Sequence, residues 1–290
     1  MIEEVISQRT HSLGGFDVGR VLPSRQRRSV GPFVFFDHMG PVDFAAGIPR
    51  SVDVRPHPHI GLATVTYLFS GEIMHRDSVG SEQAIRPGEV NWMTAGQGIT
   101  HSERFERARA EGDRVHGIQA WVALPAEHEE MAPSFEHCEA ADLPGFESNG
   151  VRMRVLAGKA FGREAPVRTL SPLFYAHAEI AAGASVELPD GHSERAAFVA
   201  VGSIAIEDRV FEAGQLVIFA PDSPTRVLAR GPSSVMLLGG ESVGERFIDW
   251  NFVSSSKARI ERAKADWRAG RMKLPDADNQ EFIPLPGDAG

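Results

Sequence analysis

Turn-forming residues set the length scale of this chain. Its 29 glycines and 19 prolines separate short apolar runs rich in Val, Ile, Phe and Thr, and few of the intervals could hold a helix of several turns. Side chains of that kind pack best on a half-buried pleated surface, so the pattern predicts an all-β protein. The strand candidates in the first half are 33–36, 63–69, 73–77, 90–94 and 117–123. Those in the second half are 151–157, 173–180, 184–188, 196–201 and 215–219. Turn chemistry divides them, as at Ser70-Gly71 and Arg86-Pro87-Gly88.

The two halves look like distant copies of each other. Pro87-Gly88-Glu89-Val90 and Glu212-Ala213-Gly214-Gln215-Leu216-Val217 both launch an apolar strand from a glycine, which points to duplicated barrels rather than one large sandwich. A polar stretch over 125–139, without strand-like alternation, precedes Asp142-Leu143-Pro144-Gly145. The join is therefore expected near residue 140, giving domains 1–140 and 141–290. One helix stands out near the C-terminus: Ser255 or Ser256 can cap it, Ile260, Ala263 and Trp267 share a face, and Gly270 ends it. The tail from Leu274, with Pro275, Pro284 and Pro286, is expected to be irregular and to run back over the surface.

Charge and cysteine usage narrow the classes of function. A net charge of -9, from 39 acidic against 30 basic residues, works against long-range attraction to a phosphate backbone, so direct nucleic-acid binding is disfavoured. The run Arg25-Gln26-Arg27-Arg28 is too short to reverse that and reads as a solvated loop. The single cysteine, Cys138, cannot form an intramolecular disulfide, which fits a reducing compartment. No apolar window approaches a membrane span and the N-terminus has no leader pattern, so a cytoplasmic location is expected.

Two short segments carry the chemistry. Arg55-Pro56-His57-Pro58-His59 places imidazoles at i and i+2, which an extended chain turns to one side. The prolines forbid helix and remove backbone donors, which suits an edge strand or barrel rim. Farther on, Gly96-Gln97-Gly98-Ile99-Thr100-His101-Ser102-Glu103 repeats the device, with glycines that permit a tight turn before the strand. His57, His59, His101 and Glu103 together suit one divalent ion, and Fe(II), Mn(II), Ni(II), Cu(II) and Zn(II) are all admissible. A single His-x-His is more often accidental; two matched pairs on predicted strands are not easily so.

The spacing Pro-His-Pro-His-x-Gly (56–61), the run 87–103 and the early Gly-Pro-Phe-Val-Phe-Phe-Asp-His-Met-Gly-Pro (31–41) resemble the pirin family of bicupins, over most of the chain. The resemblance implies two tandem cupin (jelly-roll) barrels, with Glu103 in the position of the ligand that follows the third histidine in pirins. Pirins usually read Gly-Phe-Glu-Thr after the first pair, where this chain has Gly61-Leu62-Ala63-Thr64; that implies an altered pocket lining with ligation unchanged. The resemblance also implies a quercetin 2,3-dioxygenase-like activity, in which Fe(II), or another of these metals, and O2 open a small planar phenolic of the flavonol type. Glu103 would then be both ligand and proton acceptor. The competing reading, implied by the same resemblance, is an iron-dependent redox-sensing regulator that binds a protein partner without turnover. A metal-independent isomerase or sugar-binding cupin would leave the four candidate ligands without a purpose.

Other polar clusters have plainer readings. His75-Arg76-Asp77 has the makings of a relay, but on a hairpin strand its expected role is structural. In the second copy only His192 remains of a pair, with Glu194 as an added candidate, and Arg226 stands where His101 would be. A fixed cation opposes a metal there, so a structural relic is expected.

Overall fold

A computed structural model of the chain describes every residue except Gly14, Asp222, Pro224, Ala289 and Gly290. All ten strand candidates form, four of them with the predicted ends: Ile73–Asp77, Val90–Thr94, Leu173–Ile180 and Gln215–Phe219. Helix among the described residues is confined to Glu106–Glu111 and Lys257–Arg268, with two short 3-10 turns. The all-β expectation holds because β-branched and aromatic side chains alternate between faces, and several strands, such as Leu62–Ser70 and Glu194–Val201, stop where a glycine takes a positive φ. The polar stretch over 125–139 is a correction: it contains the strand Ser134–Cys138, whose half-buried residues carry too few apolar side chains to show alternation.

Two compact units result, and they are not consecutive in sequence. One comprises Met1–Thr10, Gly19–His38 and Cys138–Ser242. Its large sheet orders the strands Ile2–Ser7, Gln215–Phe219, Glu194–Val201, Ser233–Gly240, Leu173–Ile180, Val151–Ala160 and Gly145–Ser148. A smaller sheet orders Ser185–Glu187, Arg226–Ala229, Ser203–Ile206 and Arg209–Glu212. The chain passes from one unit to the other at His137/Cys138, and segments of the first 38 residues are divided between the two. Ile2–Ser7 pairs antiparallel with Gln215–Phe219, covering an edge that would otherwise expose unpaired backbone groups.

The second unit comprises His11–Val18, Met39–His137 and Val243–Gly290. A four-stranded sheet orders Val54–His59, Ile99–Arg104, Ile73–Asp77 and Glu82–Ile85. Another sheet includes Ser134–Cys138, Val90–Thr94, Leu62–Ser70 and Asp113–Ala123. Leu68 from the latter packs in one cluster with Ile73, Ile85 and Phe105, so the two sheets enclose a common core. The C-terminal helix also belongs here, with the whole of Val243–Gly290, and not with the preceding Cys138–Ser242. Ser256 caps it, accepting from the Arg259 N–H, and Ile260, Ala263 and Trp267 bury against Ile60, Phe252 and Leu285. Burying Trp267 accounts for several kcal/mol, since truncating such a residue costs about 3–5 kcal/mol.

The tail is irregular, as expected, and it is pinned. The Ile283 N–H donates to the Pro56 carbonyl at 2.8 Å, and the Trp267 indole donates to the Ile283 carbonyl at 3.1 Å. Asp278 accepts from Ser102 and Arg104 at 2.6 and 2.7 Å. Strand alternation explains why Ser102 and Arg104 serve the tail while His101 and Glu103 face the opposite way.

Candidate metal centre

Val54–His59 is the edge strand of its sheet, the place where two prolines cost least. It runs antiparallel to Ile99–Arg104 with His57 opposite His101 and His59 opposite Ile99. Between His101 and Glu103 the register slips, so that Arg55 and Pro56 together face Ser102. Such a bulge re-aims the side chains on either side of it. The turn before His101 depends on Gly96, which has φ +51°, and a Cβ there would lie 2.1 Å from the Met131 carbonyl oxygen. Gly61, after His59, has φ +67° and leaves only 2.0 Å to the Val253 carbonyl oxygen.

The three predicted histidines converge. One ring nitrogen from each of His57, His59 and His101 lies within 4.8 Å of the others, and all three residues are buried. His57 Nδ1 donates to the Arg55 carbonyl at 2.9 Å, and His59 Nδ1 donates to the Asn251 carbonyl at 3.0 Å. A carbonyl only accepts, so both rings carry their proton on Nδ1 and leave the Nε2 lone pair free. Burial lowers the His57 pKa from 6.5 to about 4, against the Arg55 hydrogen bond, which pulls upward. Burial and the neighbouring His57 hold His59 well below its ordinary value, and burial with His57, His59 and His75 does the same for His101. Neutral imidazoles packed this closely, with His59 Nε2 and His101 Nε2 at 3.1 Å, form a donor set that fits a divalent cation.

Glu103 is not part of that close set. Its Oε1 accepts from Gln119 Nε2 at 3.2 Å, and Gln119 Oε1 accepts from the Thr66 hydroxyl at 2.7 Å. Gln119 and Thr66 stand opposite each other on neighbouring strands. Burial pushes the Glu103 carboxyl up from 4.5 to about 7, while Gln119 and Thr66 pull it back. The side chain thus titrates near neutrality and can hold or release a proton within reach of the histidines' strand.

Sequence reasoning missed several supporting groups. Asn251 contributes through its backbone, which leaves no mark in the sequence. Gln119 and Thr66 sit on strands recognised only for their apolar residues. His75 and Asp77, which the sequence assigns to a structural role, face the centre: His101 Nδ1 is 3.3 Å from His75 Nδ1, and His75 Nε2 is 3.1 Å from Asp77 Oδ2. Arg76 points the other way, paired with Glu82 and Glu106. Ala63 is fully buried, opposite Thr94 and Val122.

In the other unit no comparable cluster forms among the described residues. Glu194 accepts from the Gly31 N–H at 2.7 Å and pairs with Arg27 at 3.1 Å. Arg27 also pairs with Glu3, so the short basic run anchors the N-terminal segment. His192 packs against Phe174 at 5.0 Å, and Arg226 is exposed, bonded to Ser185.

Among the described residues no helix is long and apolar enough to cross a membrane. The family model for pirin matches residues 15–122, and that for the pirin C-terminal cupin domain matches residues 175–273. A pirin-like protein of Caulobacter vibrioides is 59% identical, covering 99% of this chain and 100% of its own length. A crystal structure of a quercetin 2,3-dioxygenase from Acinetobacter baumannii is 32% identical with a TM-score of 0.88, covering 99% of this chain and 96% of that one. A second quercetin 2,3-dioxygenase structure from the same organism is 28% identical with a TM-score of 0.87, covering 94% and 98%.

Proposed function

Since the chain belongs to the pirin family, whose two-cupin fold it has, we propose that it is a metal-dependent dioxygenase resembling quercetin 2,3-dioxygenase, opening a flavonol-type substrate with O2. The observation that carries this reading is the pairing of three neutral, inward-facing imidazoles with a carboxyl whose proton affinity lies near neutrality. The names of the Acinetobacter baumannii structures support the same chemistry.

His57, His59 and His101 would hold one divalent metal, with Glu103 as the further ligand. Fe(II) is the first choice, and Mn(II), Ni(II), Cu(II) and Zn(II) suit the same donors. Bound there, the metal would supply Lewis-acid activation of a chelating 3-hydroxyl and 4-carbonyl pair. The chain's own contribution is to keep the imidazoles unprotonated by burial and to place a base. Glu103 accepts the 3-hydroxyl proton, and Gln119 orients it by donating to Oε1. Trp121, edge-on to His59 at 5.1 Å, adds an aromatic wall beside the histidines.

The test is simultaneous uptake of quercetin and O2 by purified protein loaded with ferrous iron, then with each of the other metals. His101→Ala should abolish uptake. Protein that binds metal at the three histidines yet consumes no O2 with any planar phenolic would overturn the dioxygenase reading and favour a regulatory one.

A further inference from the structure

The helix Lys257–Arg268 carries a polar stripe beside the apolar one that docks it. Ile260, Ala263 and Trp267 are buried, while Arg259, Arg262 and Asp266 follow one another at i, i+3 and i+7 on a neighbouring face. That face lines a cleft of about 560 Å³ together with Arg271, Lys273, the Ser78-Val79 turn and the segment 97–100. The volume lies within the range of small-molecule sites, roughly 300–1,000 Å³. The cleft is separate from the histidine centre. Thr100 lines it and alternates with His101 along their strand, so it points the other way, and its hydroxyl donates to the Lys273 carbonyl.

Positive charge gathers here against the trend of the chain. Acidic residues outnumber basic ones overall, 39 to 30, yet the lining holds four cations, Arg259, Arg262, Arg271 and Lys273, and only two carboxylates, Glu130 and Asp266. Glu130 is shared between Arg259 and Arg262, and Asp266 pairs with Arg271 at 2.7 Å. Lys273 is answered from outside the lining, by Asp276 at 2.8 Å. Four cations against two carboxylates, or three with Asp276, leave an excess of one to two positive charges.

Arg259 is the fixed member of the group, with a side chain 12% exposed. Its Nε donates to Glu130 and its Nη2 to the Gln97 carbonyl, but Nη1 is buried and has no hydrogen-bond partner. Buried donors are nearly always paired, so this guanidinium has room for an acceptor that the protein does not supply. Arg262, Arg271 and Lys273 are more than half exposed. Exposed pairs of that kind are worth only about 0–1 kcal/mol, so an incoming anion can compete for all three cations.

We propose that this cleft is a binding site for a small organic dianion, a phosphate monoester or a dicarboxylate. Guanidinium forks donate to two oxygens of such a group at once, and a dianion matches the excess charge. Val79, 46% exposed, and Met272 give the body of the molecule an apolar surface. Gly98 makes room for Met272, because a Cβ there would lie 3.0 Å from its Cε. The site needs no metal and stands or falls apart from the dioxygenase reading.

Isothermal titration calorimetry of metal-free protein in Tris chloride tests this, with ribose 5-phosphate and succinate as probes and ribose and acetate as controls. At least one probe should bind at one equivalent per chain, and neither control should; the probe that binds more tightly assigns the class. Arg262→Ala combined with Arg271→Ala should weaken binding about 10-fold or more, since charge-assisted hydrogen bonds are lost. Glu130→Gln should tighten it several-fold, because a competing charge goes while an oxygen remains for Arg259. In 1H–15N spectra the bound probe should shift the Val79, Gly98 and Thr100 amides. Wild-type protein that binds neither probe up to millimolar concentration overturns the proposal, as does binding indifferent to these substitutions or amide shifts confined to other regions. If the double variant does not fold, Glu130→Gln and the amide shifts decide.

Discussion

His59 Nε2 and His101 Nε2 face each other at 3.1 Å, and His59 has already committed its only ring proton to the Asn251 carbonyl. At most one proton lies between two neutral rings so arranged, and a shared cation can take its place. Metal should therefore stabilise the fold: free metal at 100 times its Kd adds about 2.7 kcal/mol, or roughly 5 °C or more in Tm. Differential scanning fluorimetry of chelator-stripped protein, with and without Mn(II), Ni(II) or Zn(II), reads this directly. His59→Ala should remove the increment; an equal increment in that variant would place the metal elsewhere.

Metal-free protein should lose stability as the pH falls from about 6.5 toward 4. His57, His59 and His101 have folded pKa values below the ordinary 6.5, so in that window the unfolded chain binds their protons and the folded one does not. Each contributes stability above 6.5 that is lost on acidification. Glu103 opposes them, because a folded value of about 7 against 4.5 makes the folded chain bind one proton more. Three against one leaves a net loss of about 1.4 kcal/mol per proton per pH unit. Chemical denaturation at pH 7.5, 6 and 5 checks it, and a stability that rises on acidification contradicts the burial of the three rings.

Arg104 is 2% exposed and meets Asp278 at 2.7 Å, with Asp53 and Glu281 at 3.4 and 3.1 Å. The Asp278 carboxyl is lowered despite burial, which alone would raise it, because Arg104 and Ser102 donate to it. Asp278→Ala leaves a buried guanidinium short of charge and should cost about 3–5 kcal/mol. Asp276→Ala, which breaks only the exposed pair with Lys273, should cost less than about 1 kcal/mol. Urea midpoints of the two variants measure the contrast, and similar losses would mean that the tail contributes nothing specific.

The fold and the histidine centre were legible in the sequence for different reasons. Strands such as Val90–Thr94 and Leu173–Ile180 announce themselves because β-branched and aromatic residues end at glycine turns. His57, His59 and His101 are legible because i, i+2 spacing on an extended chain is itself a geometry. What stayed hidden acts across long separations or through the backbone. The Asn251 carbonyl approaches His59 across 192 positions, and the C-terminal helix docks on Ile60. The sequence places Glu103 among the ligands; the structure puts it on the same face of its strand as His101 but ties it to Gln119 and Thr66. His75 was visible as a motif, yet its approach to His101 depends on a cross-strand register that a single strand cannot reveal.

Glu103→Gln separates the carboxyl's two roles. The amide keeps the shape and can still meet Gln119 and Thr66, but it cannot accept a substrate proton, so flavonol turnover should fall about 10²–10⁴-fold. Stability should move the other way. A carboxyl whose folded pKa is raised to about 7 destabilises the fold when ionised. The penalty is absent below 4.5 and complete above about 7. Metal-free Glu103→Gln should accordingly be more stable than wild type at pH 8, by on the order of 1–3 kcal/mol, with the difference shrinking at pH 5. Paired denaturation curves at the two pH values, beside O2-uptake rates, decide it. A variant that is inactive but no more stable at pH 8 would mean that Glu103 is already ionised at little cost in the folded protein, and the case for it as a base poised near neutrality would fail.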